Sequence, residues 1–263
     1  MAIQTNLTDK TAIITGGSRG IGWETAKEMI KEGMNVVLIS RNKKILQSRI
    51  DELDQYKKQV RIFPCDLTNL TSALEISKYC ISEYNKIDVL VNSAGAAKGG
   101  IFSEIPDKDW EDSFNLKFFG TIRVIRTVIT YMKDQKDGRI VNVIGDTGKK
   151  PNKLMLPGSS VNAALLSLTK GLADELGQYG IRINAVSPGP TRTERILDMF
   201  KSLAKSTNKS IQEIEDEFLN ENIIKKLADP KDIANLIIYL SSDISKNITG
   251  TTVTSDGGRS KFI

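Results

Sequence analysis

Near the start of the chain, Thr15-Gly16-Gly17-Ser18-Arg19-Gly20-Ile21-Gly22 interrupts two patterned segments. Before it runs Thr11-Ala-Ile-Ile-Thr15, short, apolar and β-branched. After it, Ile21 to Glu32 carries apolar residues at helical spacing (Ile21, Ala26, Met29, Ile30), with Gly33 as a stop. The order is therefore strand, glycine turn, helix. Glycine at 16 permits the tight turn, and Gly20 and Gly22 let backbone and helix approach a pyrophosphate closely. The helix N-terminus adds free N–H groups and the positive end of its dipole. Gly16, Ser18, Arg19, Gly20, Ile21 and Gly22 are the expected dinucleotide-binding residues of this turn.

The end of the second apolar run bears on which dinucleotide. A carboxylate there accepts from a ribose 2′-hydroxyl, whereas arginine meets a 2′-phosphate. Val36-Val-Leu-Ile-Ser40-Arg41-Asn42 has serine at the acidic position and arginine next. Arg19 is within reach of the same phosphate. Two guanidiniums and no carboxylate favour NADP (NADPH) over NAD; the alternative is that Arg41 only begins an exposed helix.

Apolar runs at 11–15, 35–40, 60–63, 88–91, 139–144, 182–187 and 251–254 alternate with helical patterns. That alternation predicts an α/β fold, a doubly wound (Rossmann-type) seven-stranded parallel sheet over a single domain, 1–263, with ligand at the C-terminal strand ends. Of the 263 residues 40% are hydrophobic, enough for a sheet covered on both faces. The chain contains no histidine. An imidazole base, a Ser-His-Asp triad and His-ligated metal are thereby excluded, and no metal is expected. Its net charge of +5 is spread over scattered lysines rather than one basic helix, so no nucleic-acid partner is expected. No apolar stretch approaches the ~20 residues of a membrane span, and the first residues lack a signal-peptide pattern. Cys65 and Cys80 have no metal-ligand spacing and read as free thiols. A cytoplasmic location is the expectation.

These motifs together resemble the short-chain dehydrogenase/reductase family over essentially the whole chain. Thr15-Gly16-x-x-x-Gly20-x-Gly22 is similar to its T-G-x-x-x-G-x-G turn. Cys65-Asp66-Leu67-Thr68 resembles the segment whose aspartate contacts adenine. Asp88-Val-Leu-Val-Asn92-Ser93-Ala94-Gly95 resembles its D-x-L-V-N-N-A-G, and Ser187-Pro188-Gly189-Pro190 with Thr193 the loop at the nicotinamide end. The resemblance implies cofactor contacts from Asp66, Leu67, Asn92, Ala94, Gly95, Pro188, Gly189 and Thr193. Asn92 reads equally as a residue that steadies the sheet.

Members of this family use a serine, a tyrosine and a lysine, with an asparagine that holds a water relay. Asn115, followed by Leu116 and Gly120, resembles that asparagine. Counting from Ile140-Val-Asn-Val-Ile-Gly145 places Gly145 at the serine. Counting back from Ala163-Ala-Leu-Leu-Ser-Leu-Thr-Lys170 places Gly158 at the tyrosine and Asn162 at the lysine. No tyrosine lies between Tyr131 and Tyr179 to substitute. Asn162 retains hydrogen bonds for a ribose but carries no charge.

The expectation is an NADP-dependent oxidoreductase acting on a small organic substrate with a non-standard proton donor. Asp146 and Ser159 are the nearest candidates, and Lys149, Lys150 and Lys153 lie on the adjoining loop. Asp146 reads equally as a turn residue, and Ser159 as a helix cap. Two alternatives stay open: a non-redox reaction of lyase or hydratase type, and a non-catalytic cofactor-binding subunit. The resemblance also implies a substrate lid over 191–226 and a homotetramer paired through helices at about 107–132 and 158–179, with Ala163, Leu166, Leu168 and Leu172 available. In the lid, Ile196, Leu197, Met199, Phe200, Leu203, Ile211, Ile214, Phe218, Ile223 and Ile224 either line a pocket or pack helices.

Overall fold

Successive strand residues point to opposite faces, so a strand apolar at every position must be covered on both. The computed structural model, which describes residues 4–96 and 98–261, is built on this rule. Its elements run β1 (Thr11–Thr15), α1 (Gly20–Lys31), β2 (Asn35–Ser40), α2 (Lys43–Asp51), β3 (Val60–Pro64), α3 (Ser72–Tyr84) and β4 (Val89–Asn92). There follow α4 (Asp107–Ser113), α5 (Gly120–Gln135), β5 (Gly138–Val143), α6 (Leu156–Leu176) and β6 (Ile181–Pro188). The chain ends with α7 (Glu194–Thr207), α8 (Ile211–Asn220), α9 (Pro230–Ser241) and β7 (Thr252–Ser255).

The seven strands of the described residues form one parallel sheet in the order β3-β2-β1-β4-β5-β6-β7. Ala12 and Ile14 of β1 face α1 and α9, where Met29, Ile30, Ile233 and Ile237 close one core. Ile13, between them, faces a second core with Ile76 of α3 and Val124 and Val128 of α5. The chain winds outward from β1 through β2 to β3, then returns to β4 on the other side of β1. Two loops leave in opposite directions there, and a crevice opens at the C-terminal strand ends.

One expected helix differs. The stretch at 107–132 is interrupted by a π-helical turn at Phe114–Phe119, between α4 and α5. The extra residue in that turn rotates the side chains that follow relative to a continuous α-helix, which apolar spacing alone does not reveal. In the 191–226 segment, α7 and α8 pack on each other through Phe200, Ala204 and Ile214 with Leu227. Among the described residues no helix is long and apolar enough to cross a membrane.

Candidate active site

A cavity of about 1050 Å³ fills the crevice beyond β1 and β4. The glycine turn forms one end. Gly16 has φ +68°, and a Cβ there would lie 2.8 Å from the Ser93 carbonyl oxygen, so glycine lets the turn seat against the end of β4. Ser18, Arg19, Gly20 and Ile21 also line this end. Gly22 acts differently from the sequence expectation: a Cβ there would overlap the Gly16 carbonyl oxygen. Its smallness joins the turn to α1 rather than opening a wall for pyrophosphate.

Arg41 lines the outer mouth, which continues into a shallow basic depression with Asn42, Lys43 and Lys44 at the start of α2. Arg19 is not a free cation. Its Nη1 lies 3.0 Å from Glu194 Oε2, so the start of α7 brings a carboxylate that the local sequence did not announce. Leu67, Ala94, Gly95, Pro188, Gly189 and Thr193 line the cavity. Thr193 also caps α7, its Oγ1 accepting from Ile196 N.

Three cofactor and catalytic expectations lie outside the cavity wall. Asp66 accepts from Thr68 N and Oγ1 at 2.9 and 2.8 Å. Asn92 is buried in the sheet, donating to Asn142 Oδ1 at 2.9 Å, the sheet-steadying alternative. Asn115 turns its Oδ1 to Arg123 Nη2, 2.9 Å away.

The two proton-donor candidates separate. Ser159 is buried in the first turn of α6; its Oγ donates to Met155 O at 3.0 Å and accepts from Asn152 N at 3.2 Å. It steadies the helix start and presents no hydroxyl to the cavity, which corrects its reading as a donor. Asp146 does line the cavity, and its Oδ2 accepts from Arg259 Nη1 at 2.8 Å. Burial raises the Asp146 carboxyl, while Arg259 opposes the rise. Lys150 of the adjoining loop pairs with Glu221 at 2.8 Å.

Gly145, Gly158 and Asn162 all line the inner end. There the structure adds a residue that sequence reasoning missed. Lys117, within the π-helical turn, sends its Nζ to Asn162 Oδ1 at 2.6 Å, while Asn162 Nδ2 donates to Thr147 Oγ1 at 2.9 Å. The lysine stem passes over Gly95, where a Cβ would lie 2.8 Å from Lys117 Cδ. Desolvation first, and then the charge of Arg195 across the cavity, lower the Lys117 ammonium to about 8. The available signal was a lone cation within Phe114-Asn-Leu-Lys-Phe-Phe119, a run whose neighbours are aromatic or apolar.

The apolar residues of the 191–226 segment divide. Ile196, Met199 and Phe218 reach the cavity, Phe200 and Ile214 are core, and Ile223 and Ile224 face solvent.

With this geometry in place, comparison with known proteins places the chain. A family model described as short chain dehydrogenase matches residues 10–204. The uncharacterized oxidoreductase YvaG of Bacillus subtilis is 30% identical over 259 residues, covering 96% of this chain and 97% of that protein. The 2,3-dihydro-2,3-dihydroxybenzoate dehydrogenase of Bacillus subtilis is 33% identical over 252 residues, 95% of each. L-sorbose reductase of Gluconobacter frateurii, solved with NADPH and L-sorbose, superposes with a TM-score of 0.95 at 25% identity, over 99% of this chain and 100% of that one.

Proposed function

The chain belongs to the short-chain dehydrogenase family, and from that premise we propose that it is an NADPH-dependent oxidoreductase of a small organic carbonyl compound. One observation carries this reading. A single cavity joins the glycine turn and basic mouth to a polar inner end made by Lys117, Asn162, Thr147 and Asp146. The relatives' names and the NADPH-bound neighbour support the same reaction class.

The residues fit the cofactor. The turn at Gly16 to Ile21 offers backbone N–H groups and the N-terminus of α1 to a pyrophosphate. Arg41, with Lys43 and Lys44 beside it, meets a 2′-phosphate. Pro188, Gly189 and Thr193 hold the nicotinamide end, and NADPH bound there supplies hydride. The inner end departs from the family's usual constellation: glycine stands at 145 and 158, and asparagine at 162. The protein therefore orients its substrate oxygen with groups other than a serine hydroxyl and a phenol. Helices α7 and α8 form the lid, with Ile196, Met199 and Phe218 as its apolar lining.

We assign the assembly as a homotetramer paired through α5 and α6. Ala163 is exposed, whereas Leu166 and Leu168 pack partly on the chain's own cluster of Ile144, Val161, Leu165 and Ala185.

The reading is tested by mixing the purified protein and NADPH with 2,3-butanedione, benzaldehyde and a 3-oxoacyl thioester. Enzyme-dependent loss of the reduced nicotinamide absorbance with alcohol formed is expected. NADPH binding without any alcohol would contradict it.

A further inference from the structure

A lysine in the wall of a cavity, with no carboxylate beside it, is a costly thing for a fold to build. Taking an ammonium out of water is unfavourable unless a counter-charge compensates, and a methionine of similar length would fill the same channel without that cost. Among the described residues Lys117 has no ion-pair partner. Its polar contact is the amide oxygen of Asn162. The other carboxylates of the cavity wall are engaged elsewhere: Asp146 with Arg259, Glu194 with Arg19, Asp198 with Lys201. The facing charge from α7 is Arg195, a second cation, whose Nη1 donates to Gly95 O at 3.3 Å.

Several separate elements accommodate this lysine. Gly95, after β4, leaves the channel for its stem. Gly145, after β5, leaves room for the Asn162 amide, which a Cβ at 145 would approach to 2.9 Å. Thr147 fixes which way that amide points, so its oxygen rather than its nitrogen meets the ammonium. Gly158, one helical turn before Asn162, also lines the cavity and adds no side chain to it.

We propose that Lys117 is the proton donor of the reaction. The inference rests on the reductase reading above. In the reduction, the substrate carbon gains a C–H bond from the hydride of a reduced nicotinamide as the carbonyl π pair moves to oxygen. That oxygen takes a proton from Lys117 Nζ. The products are an alcohol, an oxidised nicotinamide and a neutral amine, and the amine regains its proton from water. Asn162 is a positioning residue, accepting one N–H so that another points into the cavity. The lowered basicity of Lys117 suits the role, since an ammonium near 8 is mostly protonated at neutral pH yet yields its proton more readily than a surface lysine.

Two readouts test the donor. The first needs no turnover: competitive acetylation of the NADPH-bound protein across pH, with mass spectrometry of the Lys117 peptide. Its labelling rate should inflect near 8, well below that of the exposed Lys108 on α4. Labelling of Lys117 that follows Lys108 would overturn the proposal. The second uses variants on the carbonyl panel. Lys117→Met should lose on the order of 10²-fold or more in kcat, with NADPH affinity within twofold of the unsubstituted protein and the fold retained. Lys117→Arg should fail equally, because a guanidinium keeps its charge but does not release a proton in this range. Lys108→Met should behave as the unsubstituted protein. Retained kcat in Lys117→Met, or rescue by arginine, overturns the donor while leaving the reductase reading intact. An unsubstituted protein that binds NADPH and reduces nothing overturns both.

Discussion

Gly145 and Asn162 are sterically coupled: a Cβ added at 145 would sit 2.9 Å from Asn162 Nδ2, the atom that donates to Thr147. The two residues therefore work as a pair. Gly145→Ser in the otherwise unchanged protein should displace the amide and cost roughly 1–3 kcal/mol, as overpacking does. In an Asn162→Ala background the same change should be nearly neutral. A double-mutant cycle by urea denaturation would give a coupling above about 0.5 kcal/mol; additive costs would show that the contact is relieved elsewhere. The relationship also bears on rebuilding the family's usual site. Gly145→Ser, Gly158→Tyr and Asn162→Lys together would bring a second ammonium beside Lys117. Like charges there disfavour both ionised forms, so the triple variant should reduce carbonyl compounds faster with Lys117→Met added than without it.

Binding of the two nicotinamide cofactors should separate Arg41 from Arg19. Arg41 lines the mouth beside Lys43 and Lys44, whereas Arg19 is held by Glu194 at 3.0 Å. Calorimetric titration should find NADPH bound more tightly than NADH. Arg41→Ala should remove about 1.5–3 kcal/mol of the NADPH affinity and little of the NADH affinity. Arg19→Ala should have the smaller effect, because the Arg19 charge is already offset by Glu194. Equal affinities for the two cofactors in the unsubstituted protein would refute the assignment.

The desolvated Lys117 ammonium should be visible in stability as well as in rate. Lys117 drops from 10.5 in the unfolded chain to about 8 in the fold. Between those values the unfolded chain binds the extra proton, so stability contributed by this site rises as pH climbs from 8 towards 10.5 and is lowest below 8. At neutral pH the penalty is on the order of 3 kcal/mol. Lys117→Met should therefore raise the melting temperature at pH 7, and the gain should shrink as pH climbs towards 10.5. A gain independent of pH would place its origin in packing rather than charge.

Much of the fold was readable because parallel strands buried on both faces leave apolar runs that turn signals bound. Each expected strand lies within one residue of its observed limits. The glycine turn was equally legible, since strand, glycines and helix are contiguous. The inner end of the site was harder. Lys117 sits in a run whose periodicity says helix, and only the π-helical turn at Phe114–Phe119 sets which side it presents. Glu194 meets Arg19, and Arg259 meets Asp146, across long stretches of sequence that no local pattern links. Ser159 looked available by its place beside Gly158, yet the start of α6 uses its hydroxyl.

In the proposed reaction this cavity moves hydride between a nicotinamide and a carbonyl compound, with Gly145, Gly158 and Asn162 where the resemblance implies serine, tyrosine and lysine. The most direct measurement is a single-turnover reaction of the protein loaded with NADPH deuterated at the transferable position, followed by mass analysis of the product. The expected product is an alcohol carrying one deuterium on the former carbonyl carbon, formed at a rate that falls as pH rises above about 8. A product without deuterium, or bound NADPH that stays reduced while substrate is converted, would contradict it.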